Sequence, residues 1–278
     1  MMKIKPLVSV IVTTRNEAKV IKRLIKSVSV QSYKNIEVIL VDNFSTDNTV
    51  KIAKDLKVKC YQAGPERSAQ RNFGAKKAWG EYLLFLDADM ELSKDVIKDC
   101  VSKLNEDLGI GSIIIPEISI ARTFWEKVKA FERSFYNLSG DKNTDAARFI
   151  FKKAFKKAGA YDEKITGPED WDLPEKIEKL GYKTERISSW IYHHEHIKSL
   201  FALARKKYYY GLKVHKYLSN QNIPVLGPKT IYFLRPVFYR SWRKLISHPV
   251  LAISMFVMFT VELVSGGLGY MVGRISDG

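Results

Sequence analysis

The residues of this 278-residue chain best suited to chemistry gather in two short acidic clusters. Asp87, Ala88 and Asp89 follow the apolar run 82–86, and Glu169 and Asp170 follow the turn Gly167-Pro168. An apolar run of this length reads as a buried strand, and it delivers the next residues to the carboxyl edge of a parallel sheet, where open α/β folds bind ligands. Two carboxylates there can hold magnesium or manganese against a diphosphate, because hard cations take oxygen ligands and keep positions open for phosphate oxygens. A second, distant carboxylate is then free to act as a base.

The elements that must position these clusters show as alternation. Apolar runs 7–12 and 36–41 alternate with helical periods over 17–30 and 49–56. A short strand follows at 58–61, then a helix near 68–78, the strand that ends at Asp87, a helix opening near Ser93 as N-cap, and a strand at 110–115. The pattern predicts an α/β fold with a mostly parallel, doubly wound, Rossmann-like sheet. Between the clusters, Phe124, Val128, Phe131, Phe135 and Leu138 recur at helical spacing, giving an amphipathic helix that faces either a core or an interface.

Net charge is +16, unevenly spread: 19 Lys/Arg against 15 Asp/Glu in residues 1–118, and 27 against 15 in residues 119–278. Residues 198–244 hold eleven basic side chains and no acidic one, which calls for an anionic partner, nucleic acid or membrane lipid. From 249 to 273 the chain is almost wholly apolar around one charge, Glu262, and long enough to span a hydrocarbon core of about 30 Å. We expect one transmembrane helix there, with a buried hairpin of a soluble protein as the other reading. Arg240, Arg243, Lys244 and His248 flank it on the N-terminal side, which places the preceding domain in the cytoplasm. The segment 223–242, interrupted by Lys229, Arg235 and Pro236, fits an interfacial stretch or part of a short hairpin. Gly266, Gly267, Gly269 and Gly273 form an expected small-residue contact face, and Glu262 in lipid would need a partner. The membrane explains the basic stretch without a nucleic-acid module, so no nucleic-acid partner is expected. Cys60 and Cys100 have no metal-ligand spacing, and the run at 7–12 is too short for a signal core. The expected division is a catalytic domain at 1–196, a basic amphipathic interface region at 197–247 and a membrane segment at 248–278.

Four strings, VSVIVTTRNE at 8–17, VDNFSTDNT at 41–49, DAD at 87–89 and GPEDWDL at 167–173, stand in an order that resembles the inverting GT-A glycosyltransferases of family 2. The resemblance runs over residues 6–215 and extends to membrane-associated members such as dolichyl-phosphate-sugar synthases and lipid-linked-glycan transferases. It implies a GDP- or UDP-linked sugar donor, a divalent metal (Mn2+ or Mg2+) and direct displacement at the anomeric carbon. Carried over by position, Thr13, Arg15, Glu17 and Asp42 would bind the nucleotide, and an Asp42 carboxylate can accept from uracil or from guanine. The family commonly has a second Asp where Asn43 stands. Arg71 and Asn72 would meet donor phosphate or ribose, or are surface residues. Asp89 would ligate the metal directly, with Asp87 on the ribose or a metal-bound water. Asp170 would be the general base and Glu169 would orient the acceptor or the base; Trp171 would face a sugar ring or anchor its helix. Among the histidines of 192–196, His194 and then His196 are the choices for a further metal ligand, unless they are ordinary polar residues.

After these, Leu200, Ala204, Tyr208, Gly211 and Leu212 follow a helical period with Arg205, Lys206 and Lys213 beside them, the pattern of a helix on an anionic membrane surface. Arg205 and Tyr209 stand where processive relatives carry a Gln-x-x-Arg-Trp motif, so an acceptor role is expected for them, and the missing Trp argues against a polysaccharide synthase. The expected activity is transfer of a hexose from GDP-mannose or a UDP-sugar to a lipid-linked acceptor, such as a polyisoprenyl phosphate, at the cytoplasmic face. The alternative is a catalytically silent nucleotide-sugar or lipid-binding subunit.

Overall fold

The computed structural model describes residues 5–141, 144–220, 223–225, 227 and 230–276; Lys229 lies outside them. The expected alternation is realised as β1 (Val8–Thr14), α1 (Ile21–Ser29), β2 (Ile36–Asp42), α2 (Thr49–Asp55), β3 (Lys59–Gln62), α3 (Arg67–Lys77) and β4 (Tyr82–Asp87). Next come β5 (Met90–Leu92), α4 (Val96–Glu106), β6 (Ile110–Ile114), β7 (Glu117–Ile120), α5 (Phe124–Arg133), β8 (Ala147–Phe151) and α6 (Lys152–Lys157). The chain ends with α7 (Glu169–Lys179), β9 (Lys183–Arg186), β10 (Ile191–His194), α8 (Leu200–Asn220), α9 (Pro236–Arg240), α10 (Trp242–Ser247) and α11 (Pro249–Ser276).

It forms two compact units, residues 1–117, 146–163 and 169–193 in one and 118–145, 164–168 and 194–278 in the other. This division differs from the expected one, because the helix between the acidic clusters groups with the C-terminal helices. The first unit carries a seven-stranded sheet in the order β3-β2-β1-β4-β8-β6-β9. Strands β3, β2, β1 and β4 run parallel, and β8 opposes both β4 and β6. Side-chain alternation splits the core between the sheet's two faces. Val8, Val10 and Val12 pack with α1 and α4 residues on one face, and Ile11 packs with Ile39, Phe85 and Leu173 on the other. Because β2 and β4 flank β1 on opposite sides, the strand order reverses at β1, and the carboxyl ends at such a switch point are where open α/β sheets bind ligands.

Ser93 does not cap α4. Its hydroxyl accepts from the Trp190 amide at 3.3 Å, and Asp95 precedes the helix. A second sheet, β5-β10-β7, was not legible as alternation, since its strands are three or four residues long.

In the second unit, α5 begins at a capping box in which the Glu126 carboxylate accepts from the Thr123 amide at 2.9 Å. Val128 and Phe131 of α5, and Phe135 just beyond it, share a core with Phe238, Met255 and Phe259. Among the described residues one helix, α11, is long and apolar enough to cross a membrane.

Candidate active site

Register brings the carboxylates together. In the β1 pairings Thr14 lies level with Asp42 and Thr13 with Asp87, so three expected nucleotide residues share one edge of the sheet. Thr14 Oγ1 donates to Asp42 Oδ1 at 2.7 Å, and Thr13 Oγ1 reaches Asp87 Oδ1 at 3.4 Å. Asp42 is fully buried, and it also accepts from the Ser45 hydroxyl at 2.5 Å and the Ser45 amide at 2.7 Å. The loops after β1 and β2 are laced together, with the Asn16 amide donating to Ser45 Oγ and the Glu17 amide to Thr49 Oγ1, both at 2.7 Å. Arg15 stands exposed on this edge.

Helix α3 sets two arginines one turn apart, so Arg67 and Arg71 share a face. Arg71 is fully buried, and its guanidinium donates from Nη1 to Asp170 Oδ1 at 2.5 Å and from Nη2 to Asp87 Oδ1 at 3.2 Å. Arg67 pairs with Glu169 at 2.9 Å and approaches Asp87 at 3.9 Å. One planar fork thus joins the two acidic clusters of the sequence, 83 residues apart (87 to 170). Burial opposes ionisation of Asp87, but Arg71, Arg67 and Arg148 outweigh it and hold that carboxyl far below the usual range. Burial also opposes the Arg71 charge, and Asp170 and Asp87 more than restore it.

A chain of side-chain contacts leads from Asp87 to Asp89. Arg148 Nη1 lies 3.6 Å from Asp87, and its Nε donates to Glu117 at 2.8 Å. Glu117 meets His193 Nδ1 at 2.8 Å, and His193 Nε2 stands 3.6 Å from Asp89 Oδ2. Nearby, Glu17 is pushed up to about 7 by burial and by the carboxylates of Asp89, Asp47 and Asp87. Carboxylates therefore gather around Glu17, whereas the arginines pair with Asp87, Asp170 and Glu169.

Residues 9–161 match the Glycosyl transferase family 2 model, more than half of the chain. The chain belongs to glycosyl transferase family 2. Over 228 residues, 74% of this family 2 chain, it is 29% identical to a poly(ribitol-phosphate) beta-N-acetylglucosaminyltransferase, TarS, of Staphylococcus aureus. Over 111 residues, 36% of the chain, it is 33% identical to a GalNAc(5)-diNAcBac-PP-undecaprenol beta-1,3-glucosyltransferase of Campylobacter jejuni. The matched stretch makes up 35% of the length of either relative. Among solved structures, the mannosyltransferase PcManGT of Pyrobaculum calidifontis, in complex with GDP-Man and Mn2+, aligns with a TM-score of 0.59 at 17% identity, covering 99% of this chain and 80% of that one. Residues 1–349 of S. aureus TarS, in complex with UDP-GlcNAc, align with a TM-score of 0.56 at 18% identity over 97% and 92% of the two chains. These likenesses carry the GT-A fold, in agreement with the mostly parallel sheet.

Whether this family 2 site suits a divalent cation can be judged from its donors. Among the described residues no three His, Cys, Asp or Glu side chains converge as a ready cage. Asp87 and Asp89 nevertheless supply hard oxygens, and the carboxylates of Asp89, Asp47 and Asp87, which add to burial in raising the Glu17 pKa, would favour a cation among them. That donor set fits magnesium or manganese completed by water and diphosphate oxygens better than a metal held by protein alone.

Several expected positions fall differently. The histidine beside Asp89 is His193; His194 belongs to the second unit, and adjacent residues of a strand point to opposite faces. Arg71 is not a surface residue and does not present its charge to solvent, since its guanidinium is sealed between carboxylates. Asn72 is likewise committed, donating to the Tyr161 carbonyl at 2.9 Å and Glu163 at 2.8 Å. Trp171 is half-buried on α7, and Arg205 and Tyr209 are exposed on α8 of the second unit. Sequence reasoning passed over Arg67, Gln70, Glu117 and Arg148. Gln70 Nε2 donates to the Thr14 and Val41 carbonyls at 3.1 and 2.7 Å, tying the ends of β1 and β2. The four-residue spacing of Arg67 and Arg71 was an available signal, whereas nothing local distinguishes Glu117 or Arg148.

Proposed function

We propose that this family 2 chain transfers a hexose from GDP-mannose or a UDP-sugar to a membrane-lipid-linked acceptor at the cytoplasmic face, with inversion and with a divalent metal. The observation that carries the reading is the Arg71 fork, which holds Asp170 at the same sheet edge as Asp87. Asp170 accepts the acceptor hydroxyl's proton while that oxygen bonds to the anomeric carbon and the carbon–diphosphate bond breaks. Arg71 fixes the direction of the receiving carboxylate, and Arg67 does the same for Glu169, which orients the acceptor. Asp89 and Asp87 would hold a divalent cation, which when bound would neutralise the charge that builds on the leaving diphosphate. Thr13, Arg15, Glu17 and Asp42 line the nucleotide end. Relatives with GDP-Man, UDP-GlcNAc and an undecaprenol-linked substrate in their names support this range of donors and acceptors.

The test is nucleoside diphosphate release by detergent-purified chain with Mn2+, across GDP- and UDP-sugars, with and without a polyisoprenyl phosphate, beside Asp89→Ala. Turnover of one donor, faster with lipid and lost in the variant, is expected. Absence of turnover from every donor would leave the silent binding subunit as the better reading.

A further inference from the structure

Helix α11 has two unlike faces. Ala252, Met255, Phe259, Glu262, Gly269 and Gly273 are buried, spaced by three or four residues except for the two-turn step from Glu262 to Gly269. On the opposite side, Ile253, Val257, Val264, Leu268, Met271 and Ile275 are exposed and apolar, and the exposed Thr260 is the one polar residue that falls at this spacing between them. At 100° per residue the two stripes lie on opposite sides of the helix.

The buried stripe is occupied along its length by charged helices. Near its start, Met255 and Phe259 share a core with Phe131 of α5 and Phe135 just beyond it. At its middle, Glu262 Oε1 lies 3.5 Å from both Lys129 Nζ of α5 and Lys207 Nζ of α8. Toward its end the backbones of α8 and α11 come so close that a Cβ at Gly269 would collide with the Tyr208 carbonyl, and one at Gly273 with that of Leu212. Gly267, expected on the same seam, meets nothing. The seam from Ala252 to Gly273 covers about 32 Å at 1.5 Å per residue, about the thickness of a hydrocarbon core.

No stretch of α11 of bilayer length is therefore free of α5 and α8. Crossing the membrane would carry the exposed Arg205 and Lys206 of α8 toward lipid, at about 2.5–3.5 kcal/mol for each charge at mid-depth. We infer that α11 does not span the bilayer but lies along its cytoplasmic surface, with the Ile253–Ile275 stripe immersed in acyl chains and anionic headgroups around it. The occupant is argued from charge and from the fringe of the stripe. From residue 198 to 276 the sole acidic residue is the buried Glu262, so exposed charge there has one sign among the described residues. Tyr239, Trp242 and Ile246 stand exposed on α9, α10 and beside Arg240 and Arg243, the pairing of aromatic and basic side chains that suits a headgroup region. The inference rests on the membrane association proposed above and not on the sugar chemistry.

Sidedness tests it. Full-length Cys60→Ser chain carrying Ser247→Cys or Ser276→Cys is labelled with a membrane-impermeant maleimide in closed, inside-out vesicles of an expressing bacterium. Cys100, fully buried, stays silent. Both introduced cysteines are expected to label without detergent, and the purified chain is expected to float with phosphatidylglycerol-containing vesicles and not with phosphatidylcholine alone. Labelling at 247 with protection at 276 until detergent is added would overturn the inference and leave membrane association intact. A chain that floats with neither vesicle and sediments as a dimer would overturn both, assigning the stripe to a second copy.

Discussion

Two buried charge clusters invite comparison. In the first unit, Arg71 joins Asp87 and Asp170, whose side chains keep 19% and 22% of their surface exposed. In the second, Lys129 and Lys207 converge on Glu262, which keeps 2%. The first cluster buries the cation and leaves the carboxylates at the sheet edge, where substrate can reach them. The second buries the carboxylate and leaves it nothing to do but hold helices together. Arginine suits the former, because a planar fork serves two acids at fixed angles, whereas in the latter the point charges of Lys129 and Lys207 are set against Glu262 and the buried Glu132, which pairs with Lys129 at 2.5 Å.

That contrast is sharpest in variants. Asp170→Asn is expected to lower sugar transfer by about 10²–10⁴-fold, the worth of a positioned base, with the fold kept by the remaining Asp87 pair; initial rates beside urea unfolding check it. Arg71→Met strands two carboxylates at once, and we expect a loss of about 3–5 kcal/mol in unfolding free energy together with loss of transfer. Glu262→Gln is expected to loosen the second unit by about 1–3 kcal/mol, while nucleoside diphosphate release from the donor alone persists. If that release vanished as completely as in Asp170→Asn, the division between working and holding clusters would fail.

Smaller effects probe the Asp89 side. His193→Asn removes the ring between Glu117 and Asp89, and about ten-fold more Mn2+ should then be needed for half-maximal activity, as for other partners of metal ligands. Glu17 offers a pH signature. Its folded pKa near 7 exceeds the ordinary 4.5, so between those values the folded chain holds a proton that the unfolded chain releases. Without divalent cations, wild type should gain stability relative to Glu17→Gln as pH falls from about 7 to 4.5, and hold a constant difference above 7. Added Mn2+ should flatten the slope, because a cation offsets the neighbouring carboxylates that add to burial in favouring the proton. A flat difference without metal would show that the carboxylates around Glu17 are better solvated than their positions imply.

Much of the first unit was legible in the chain. Alternating apolar runs and helical periods imposed the β-α order, and buried strands such as 82–86 carry their acids to one edge because parallel strands all end on the same side. Membership of the edge by Thr13, Asp42 and Asp87 follows from that rule with only the register left to choose. The apolar character of residues 249–276 was equally plain. Tertiary structure alone decided which charges meet. Arg148 and Glu117 are unremarkable in their local strings, yet β8 and the end of β6–β7 bring them into a chain of contacts with Asp87 and His193. Likewise hydropathy measures how apolar α11 is but not which of its faces is covered. The glycine seam with α8 and the Glu262 pairs settle that through contacts between residues over fifty positions apart, and no local pattern encodes such contacts.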